Sequence, residues 1–374
     1  MSTLARSTTR YRPTVAVVDL EAIRHNVRVL KPARAEVMAV VKADGYGHGA
    51  VPVARAALEG GATWLGVALV EEGLELVEAG LGVPILLLTE FPPGSERDAL
   101  AAGLTPTLYT EEGLSRLAEA AGGASIGVHV KVDTGMHRVG LAPERTAGFL
   151  EEVRRAGLRV EGLWTHLAKS EELGDSFSDH QLERFDLQVA RAKATGFGPR
   201  YVHAANSAAA IARPAFHFDL IRLGIAMYGL SPGPELDGMA DLRPAMSWKS
   251  SVSMVKRVGS GEAISYGLRY RLTRESTIVT VPVGYADGYN RLLGNRGEVL
   301  IHGRRYGVAG AVTMDQIMVD CRDDQVKQGE EVVLMGRQGN EEIRAGELAA
   351  WAGTISYEVV CGVGARVPRE YRAG

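Results

Sequence analysis

The chain has 374 residues, of which 46% are apolar and 23% are charged, and its formal net charge is -3 at pH 7. This length exceeds that of a usual single domain, so we expect two domains that each bury a core. The small net charge gives no bulk electrostatic case for binding nucleic acid or an anionic membrane. The two cysteines, Cys321 and Cys361, are too few for a disulfide framework or a metal-binding spacing.

No segment of the sequence has the character of a targeting or membrane-spanning element. The first residues carry Arg6, Arg10 and Arg12 among serine and threonine, but they lack the apolar stretch of a secretory signal. No apolar run approaches the roughly 20 residues that a membrane span requires. Together with the sparse cysteines, these features predict a cytoplasmic protein with no membrane partner.

From Val37 to Ile225 the sequence repeats one unit, in which a short run rich in valine, leucine and isoleucine is followed by a polar turn and an amphipathic helix. This alternation is typical of parallel strands covered on both faces. Eight units in this length favour a (β/α)₈ TIM barrel over an open doubly wound sheet, which usually has fewer strands. We expect the strands to begin near Val37, Trp64, Pro84, Leu104, Ile126, Val160, Tyr201 and Phe218. We expect helices at 51–59, 71–79, 111–120, 144–156 and 179–194, with one further strand and a leading helix within 14–32.

The pattern changes after about Pro232. Residues 247–258 alternate between apolar and polar, and only residues 345–351 have a helical pattern in this part of the chain. Two prolines around Gly233 suit a linker. The sequence therefore predicts a (β/α)₈ barrel at 14–232 and a β-rich C-terminal domain at 233–374. Further strand-like runs lie at 277–283, 298–302, 311–319 and 331–335.

Lys42 stands where the first predicted barrel strand ends and a glycine-rich segment begins. Ammonium groups are seldom buried without a partner, and desolvation lowers the pKa of a lysine. A lysine of this kind is a nucleophilic amine that forms Schiff bases with carbonyl compounds and with pyridoxal phosphate. A lone lysine at a strand end more often points into solvent, so its neighbours decide between the two interpretations.

Other polar residues follow later strands at the same end of the predicted barrel. Enzymes with this fold assemble their sites on that face, and coincidence does not readily explain so many placements there. The residues are Arg138 after the fifth strand, His166 at the end of the sixth, Asn206 and Ser207 after the seventh, and Arg222, Gly224 and Ile225 at the end of the eighth.

The loops after the seventh and eighth strands are where such barrels often hold a phosphate group. Ser207 supplies a hydroxyl there, and Gly224 permits a close approach of the backbone. A phosphate site opposite the strand-end Lys42 predicts pyridoxal phosphate as the cofactor. Arg222 indicates the reaction type, because a guanidinium cannot accept a proton from the pyridine nitrogen. The unprotonated ring is a weaker electron sink, which a simple proton exchange at Cα tolerates.

Several of these residues also have ordinary structural interpretations. His166 could be a core histidine whose hydrogen bonds are satisfied, and Ser207 could be a helix N-cap. Lys131 and Asp133 could form a plain surface pair. The nine histidines show no spacing suggestive of zinc, so we expect no catalytic metal.

The motifs at these positions resemble those of the bacterial alanine racemases. Residues 39–49 (AVVKADGYGHG) are similar to the family's pyridoxal-phosphate attachment signature. The resemblance covers the chain from about Val15 to its end, in the family's order. It continues through 131–136 (KVDTGM), 165–166 (TH), 203–207 (HAANS), 222–229 (RLGIAMYG), 264–267 (ISYG), 283–288 (VGYADG), 313–316 (TMDQ) and 357–359 (YEV).

The resemblance implies two catalytic bases. Lys42 matches the lysine that holds the cofactor as a Schiff base and acts on one enantiomer. Tyr266 matches the base for the other enantiomer and comes from a second subunit, so a homodimer with shared active sites is implied. The bases lie on opposite faces of the external aldimine, where one removes the Cα proton and the other supplies a proton. The implied reaction interconverts L- and D-alanine and supplies D-alanine for peptidoglycan.

The other matches concern binding. The phosphate is implied to contact Tyr46, Ser207, Gly224, Ile225 and Tyr357. For the rest of the cofactor, Arg222 faces the pyridine nitrogen with His166 as its partner, and Asn206 belongs to the same group. For the substrate, Arg138 lies near the carboxylate, Met314 offers a backbone N–H to it from the other subunit, and Tyr285 lines the entrance.

Two alternatives stay open at this point. One is a racemase of the same fold that acts on another amino acid, such as serine or lysine. The other is a non-catalytic carrier of pyridoxal phosphate, which the β-rich domain with Tyr266 and Met314 disfavours. A decarboxylase of the same fold is disfavoured by Arg222, because those enzymes usually place a carboxylate there. Thr313 stands where many relatives have cysteine, and in some relatives the lysine that matches Lys131 is carbamylated.

Overall fold

A computed structural model describes residues 11–373 and divides them into two compact units. One unit comprises residues 20–245, and the other joins the segment up to Asp19 to residues 246–372. The N-terminal residues Arg6 and Arg10 lie outside the described residues. Within 11–373, no helix is both long enough and apolar enough to cross a bilayer.

The unit at 20–245 is the (β/α)₈ barrel that the sequence predicts. The first strand of the chain is β1 (Val15–Asp19), which belongs to the other unit. The barrel strands are β2 (Glu36–Val40), β3 (Trp64–Val67), β4 (Ile85–Leu87), β5 (Thr107–Leu108), β6 (Gly127–Lys131), β7 (Arg159–Trp164), β8 (Tyr201–His203) and β9 (Leu220–Leu223). They form two four-stranded parallel sheets in the orders β4-β3-β2-β9 and β5-β6-β7-β8.

Backbone hydrogen bonds join the two sheets at both of their edges. On one side the Leu87 amide donates to the Thr105 carbonyl at 3.0 Å, and on the other the Asp219 amide donates to the Val202 carbonyl at 3.0 Å. These bonds close the ring of strands, so the barrel has no open edge. All eight carboxyl ends therefore lie at one mouth, as required for a shared site.

Helices alternate with the barrel strands. Their bounds are α1 (Leu20–Leu30), α2 (Lys42–Tyr46), α3 (Ala50–Glu59), α4 (Val70–Glu78), α5 (Glu96–Ala101), α6 (Glu111–Ala121), α7 (Thr146–Arg155), α8 (Phe177–Ala194) and α9 (Ser207–Ala212). The sequence did not predict α5 or α9, because six residues are too few to display a helical period. Four 3₁₀ turns complete the unit at Pro143–Arg145, Pro214–Phe216, Ile225–Tyr228 and Pro234–Leu236.

The second unit is rich in β-structure, also as predicted. Its further strands are β10 (Met246–Ser251), β11 (Met254–Val258), β12 (Ala263–Ile264), β13 (Tyr270–Arg271), β14 (Ser276–Val281), β15 (Glu298–Ile301), β16 (Arg304–Gly307), β17 (Ile317–Asp320), β18 (Glu331–Gln338), β19 (Glu341–Ile343) and β20 (Arg369–Arg372). The largest sheet has the order β16-β15-β18-β10-β1-β20, with β19 paired to β18. Two smaller sheets, β11-β14-β17 and β12-β13, complete the unit.

Helices of this unit are α10 (Ala345–Ala352) and α11 (Ser356–Cys361), and 3₁₀ turns lie at Tyr266–Leu268, Tyr285–Asp287 and Arg291–Leu293. The pattern at 345–351 predicts α10 but the sequence shows no signal for α11. Residues 311–319 were expected to form one strand, whereas only Ile317–Asp320 does so. The alternation at 247–258 belongs to two strands, β10 and β11, rather than to one.

The division of the chain differs from the predicted domains, 14–232 and 233–374, in two places. Strand β1 groups with the β-rich unit because it pairs antiparallel with β10 and parallel with β20. Residues after the predicted linker, up to Ala245, group with the barrel. Asn26 holds them there, since its side chain donates to the Arg243 carbonyl at 2.9 Å and accepts from the Arg243 amide at 2.8 Å.

Candidate active site

Lys42 lies two residues after the end of β2 and begins α2, which is a left-handed turn rather than a regular α-helix. The four residues after it have positive φ angles of 51°, 51°, 59° and 52°. This conformation costs roughly 1–2 kcal/mol for each residue other than glycine, so it requires support. The Ala43 amide donates to Glu72 Oε1 at 2.6 Å, and the Ala50 amide donates to Asp44 Oδ1 at 2.8 Å. The two carboxylates therefore hold the turn that positions Lys42.

Tyr46, Ser207 and Gly224 converge at the same mouth. Strands β2 and β9 are neighbours, which brings the end of the Lys42 turn beside the residues that follow β9. Ser207 Oγ accepts from the Gly224 amide at 2.9 Å and from the Ala226 amide at 3.3 Å. A Cβ at position 224 would lie 2.7 Å from Tyr46 Oη, so a side chain there would displace the tyrosine. The result is a cradle of two hydroxyl donors around a bare backbone, which suits a phosphate group.

Asn206, not Ser207, is the N-cap of α9. Asn206 Oδ1 accepts from the Ala209 amide at 3.1 Å and from the Ser170 hydroxyl at 2.8 Å. The capping interpretation of Ser207 is therefore wrong, and its hydroxyl serves the Gly224 cradle. Ile225 begins the buried 3₁₀ turn that follows the cradle.

Arg222 is buried within the barrel mouth and only 4% exposed. Its guanidinium donates to the carbonyls of Thr165 and Ala204, each at 2.8 Å, and to His203 Nδ1 at 2.9 Å. A longer contact of 3.3 Å joins it to His166 Nδ1. Burial lowers the pKa of Arg222 to about 9, so the group still carries its charge at neutral pH. A guanidinium held on several sides can only donate to a further partner.

Lys131 is a second buried cation. It is 4% exposed, and its ammonium lies 4.4 Å from the centroid of the Trp164 ring. Arg222 lies over the same indole at 4.9 Å, so one aromatic ring contacts two cations. Burial, followed by the positive charges of Arg222 and Arg138, lowers the pKa of Lys131 to about 7. The interpretation of Lys131 as half of a surface pair with Asp133 is therefore wrong.

The charged residues that the sequence singles out do share one site. The charges of Arg138 and Lys42 act on both Lys131 and His166. Burial, then Arg222, lowers the pKa of His166 well below its ordinary value, so its imidazole is neutral. Arg138 itself is exposed and free to meet a carboxylate bidentately. Positive charge thus gathers at the mouth, where an anionic cofactor or substrate would be drawn.

Tyr266, Tyr285 and Met314 belong to the β-rich unit. Their side chains are 77%, 42% and 52% exposed. The Ser265 hydroxyl donates to the Ala311 carbonyl at 2.8 Å, and the Tyr285 amide donates to the Thr313 carbonyl at 3.0 Å. These bonds gather three loops, 264–268, 284–288 and 311–316, which we call the C-terminal loop cluster. Tyr357 lies in α11 and is half-buried.

Thr313 uses its side chain within its own loop. Its hydroxyl donates to the Gln316 carbonyl at 2.8 Å and accepts from the Gln316 amide at 3.1 Å. A cysteine here would form weaker hydrogen bonds with these groups. Threonine therefore supports the shape of the loop that carries Met314.

Sequence reasoning missed Trp164 and His203 as parts of the site. Trp164 contacts both cations, and His203 contacts Arg222 directly. Both residues end strands, which was the available signal, but apolar and aromatic residues at strand ends usually belong to a core. Among residues 11–373, no group of three or more histidine, cysteine, aspartate or glutamate side chains could hold a metal ion.

Comparison with known proteins points to one family along both units. The family models described as alanine racemase, N-terminal domain, and alanine racemase, C-terminal domain, match residues 18–232 and 245–371. The alanine racemase of Symbiobacterium thermophilum is 50% identical over 367 residues, which cover 96% of this chain and 97% of that protein. The alanine racemase of Carboxydothermus hydrogenoformans is 44% identical over 371 residues, with coverage of 96% and 100%.

Solved structures agree. The alanine racemase of Streptomyces lavendulae superposes with a TM-score of 0.93 at 40% identity and covers 98% of each chain. The alanine racemase of Bacillus anthracis with bound L-Ala-P has a TM-score of 0.90 at 40% identity and covers 98% of this chain and 96% of that one. The chain therefore belongs to the alanine racemase family.

Proposed function

We propose that this protein interconverts L-alanine and D-alanine with pyridoxal phosphate held covalently by Lys42. One observation carries the proposal. The barrel mouth combines a half-buried lysine near a strand end with the cradle of Tyr46, Ser207 and Gly224, where an added Cβ would collide with the Tyr46 hydroxyl. An amine and a phosphate site at neighbouring strand ends match the two ends of that cofactor.

Residues of the barrel unit fit most of the cofactor group by group. The hydroxyls of Tyr46 and Ser207 would donate to the phosphate, with the backbone of Gly224 and Ile225 as further ligands. The hydroxyl of Tyr357, a residue of the β-rich unit, would be one more phosphate ligand. The pyridine nitrogen would face Arg222, which donates and cannot accept, so the ring stays unprotonated. His166 and Asn206 would support this arrangement. When bound, the cofactor withdraws electrons from Cα of the amino acid and so makes its proton acidic.

Two residues of the chain then move the proton. The Lys42 amine serves one face of the substrate Cα, and the Tyr266 phenol serves the other. Removal of a proton by one group and delivery by the other inverts the configuration. Arg138 orients the substrate through its carboxylate, with the Met314 backbone N–H as a second donor. Tyr285 lines the approach to the site.

The protein acts as a homodimer in this proposal, with the barrel unit binding the cofactor and the β-rich unit serving the partner's site. Support comes from the C-terminal loop cluster. Tyr266 is 77% exposed, Leu268 62% and Met314 52%, so several large apolar side chains share one surface. Such patches usually mark interaction sites. A second copy of the chain that places its barrel mouth there would cover them and complete each active site.

A cytoplasmic location and a role in supplying D-alanine for peptidoglycan belong to the same proposal. Cys321 is a buried free thiol. Free thiols are usual for proteins of reducing compartments. Cell fractionation with an antibody to the protein tests the location.

Circular dichroism of alanine tests the reaction. The purified holoenzyme should bring L-alanine and D-alanine, in separate cuvettes, to the same zero ellipticity. Lys42→Ala should lower this rate at least about a thousandfold and abolish the visible absorbance of covalently held cofactor. Lys169→Ala, which alters a half-exposed lysine paired with Asp175, is the control and should match the parent.

The same dichroism assay with other amino acids, together with deuterium exchange at Cα, separates the alternatives. Faster conversion of serine or lysine than of alanine would assign a different substrate. Bound cofactor without exchange of the Cα proton for solvent deuterium would indicate a carrier rather than an enzyme. Retention of activity by Lys42→Ala would overturn the assignment of the lysine.

A further inference from the structure

Two histidines that the proposed reaction does not use lie behind Arg222 in the barrel interior. His203 ends β8 and His129 lies on β6, and both are fully buried. Arg222 Nη1 lies 2.9 Å from His203 Nδ1, and His203 Nε2 lies 3.0 Å from His129 Nδ1. Three titratable side chains thus form one continuous row, starting at the active-site mouth and leading into the core.

Strand register builds this row. His203 pairs with Trp164 of β7, and their rings stack with centroids 5.4 Å apart. His129 pairs with Gly162 of the same strand, and a Cβ at position 162 would lie 2.3 Å from His129 Nδ1. The glycine therefore provides the space in which the His129 ring meets His203. The imidazole positions follow from the backbone, not from a chance rotamer.

Along this row, each hydrogen bond can be donated in only one direction, from Arg222 to His203 and from His203 to His129. A guanidinium donates and never accepts, so His203 Nδ1 must offer its lone pair to Arg222. In a neutral His203 the proton then resides on Nε2, which donates to His129 Nδ1. His129 must in turn carry its proton on Nε2. Among residues 11–373, that atom has no hydrogen-bond partner.

Both imidazoles are held neutral by their surroundings. Burial, and then the charge of Arg222, lowers the pKa of His129 to about 3. The same two causes, together with His129, lower the pKa of His203 well below its ordinary value. The rings of Trp64, Tyr201 and Trp164 pack against the pair and carry no charge that would stabilise an imidazolium.

We propose that His203 and His129 are positioning residues that hold Arg222 through a one-directional hydrogen-bond relay and so keep its remaining N–H groups aimed at the cofactor. The inference deepens the proposed function and rests on it where the cofactor is concerned. Arg222 has no carboxylate partner within the described contacts of its guanidinium. Its orientation therefore depends on neutral acceptors, and among residues 11–373 His203 Nδ1 is the only side-chain acceptor within 3.0 Å.

The two amide variants of His203 form a matched test, because each keeps one half of the relay. His203→Asn places an acceptor oxygen near the position of Nδ1 and loses the donor to His129. His203→Gln keeps a group near the position of Nε2 and loses the acceptor for Arg222. Both side chains are neutral, so a merely structural role predicts similar behaviour.

The readout is the partition between racemisation of alanine and half-transamination, with the visible spectrum of the holoenzyme. His203→Asn should keep the partition of the parent. His203→Gln should raise the share of transamination by about tenfold or more, the change expected from loss of one hydrogen bond to a charged group. Equal partition in the two variants, at similar thermal stability, would overturn the relay.

Nitrogen NMR of the ¹⁵N-histidine-labelled holoenzyme tests the relay without relying on activity. Long-range couplings should show His203 and His129 as neutral Nε2–H tautomers between about pH 5 and pH 8, the range in which an ordinary histidine titrates. A proton on His203 Nδ1 would overturn the relay even if the parent enzyme racemises alanine. The stated tautomers in a protein that does not racemise alanine would overturn the proposed function and leave the relay standing.

Discussion

The barrel mouth and the C-terminal loop cluster carry functional side chains in opposite environments. In the barrel, Arg222 and Lys131 are each 4% exposed and are held by carbonyls, imidazoles and an indole. In the loop cluster, Tyr266 is 77% exposed and Met314 is 52% exposed. The barrel mouth holds its cations within the fold, whereas the loop cluster leaves its side chains exposed.

This difference has a physical basis. Buried cations must be oriented by the fold itself, because an unsatisfied charge in the core costs several kcal/mol. Exposed tyrosine and methionine side chains carry no such penalty, so they can remain in solvent until a partner surface covers them. Under the proposed function, cofactor binding would depend mainly on the barrel unit, whereas proton transfer by Tyr266 would depend on assembly.

Complementation tests the comparison most directly and has the largest expected effect. Lys42→Ala and Tyr266→Phe should each be inactive alone, because each removes one of two bases. Mixed and allowed to exchange subunits, they should recover activity at about a quarter of the sites, since half the dimers are mixed and one of their two sites is intact.

The matched control mixes Lys42→Ala with Arg138→Ala. Both changes lie in the barrel unit, so every site in a mixed dimer retains one defect and activity should stay low. Recovery in this control, or no recovery with Tyr266→Phe despite proven subunit exchange, would refute the division of roles between the two regions.

Replacement of Arg222 probes the barrel side of the comparison. Arg222→Glu supplies a group that can share a proton with the pyridine nitrogen, which strengthens the electron sink. Racemisation should fall by about a hundredfold, the usual scale for a lost proton-transfer or charge contribution, while half-transamination rises. Alanine turnover and pyruvate formation are measured together. Unchanged racemisation with no new product would contradict the role of Arg222.

Gly224→Ala tests whether the cradle of Tyr46, Ser207 and Gly224 binds the phosphate. The added methyl would lie 2.7 Å from Tyr46 Oη, so the tyrosine must move. We expect the cofactor dissociation constant to rise about tenfold, the scale of one lost hydrogen bond to a charged group. Fluorescence titration of the apoenzyme measures it. Gly148→Ala is the control, because no atom lies within 4 Å of a Cβ there. Equal cofactor affinities in the two variants would show that the cradle does not bind the phosphate.

Replacement of Lys131 is expected to have the smallest effect on activity among these changes. Its pKa of about 7 leaves a neutral amine at pH values above 7 and a protonated one below. A neutral amine attacks carbon dioxide, loses a proton to solvent and becomes an anionic carbamate that could hold Arg138. With ¹³C-bicarbonate, NMR should show a carbamate signal that grows as pH rises through 7.

The carbamate signal should vanish in Lys131→Met, whose alanine KM should rise a few-fold, about the value of one partly exposed ion pair. Lys193→Met alters an exposed lysine and should keep the signal. A parent enzyme that shows no carbamate at any pH, with Arg138 still required for activity, would exclude this modification.

Local sequence patterns were sufficient to predict the barrel. Alternation of short apolar runs with amphipathic helices has two distinct periods, and each strand end could be located to within a few residues. The sequence alone therefore predicts that four residues lie at one mouth of the barrel, namely Lys42, His166, Ser207 and Arg222. The glycines after Lys42 indicated a loop, but not that four successive residues are left-handed and held by Glu72.

The sequence by itself determined the fold class, the family motifs and the residues at the strand ends, because these depend on periodicity and on order along the chain. Tertiary structure alone decided that β1 pairs with β10, that Asn206 rather than Ser207 caps α9, and that Trp164 contacts two cations. It alone joined Arg222 to His203 and His129. Such contacts depend on register between strands distant in sequence, and no local pattern encodes a register.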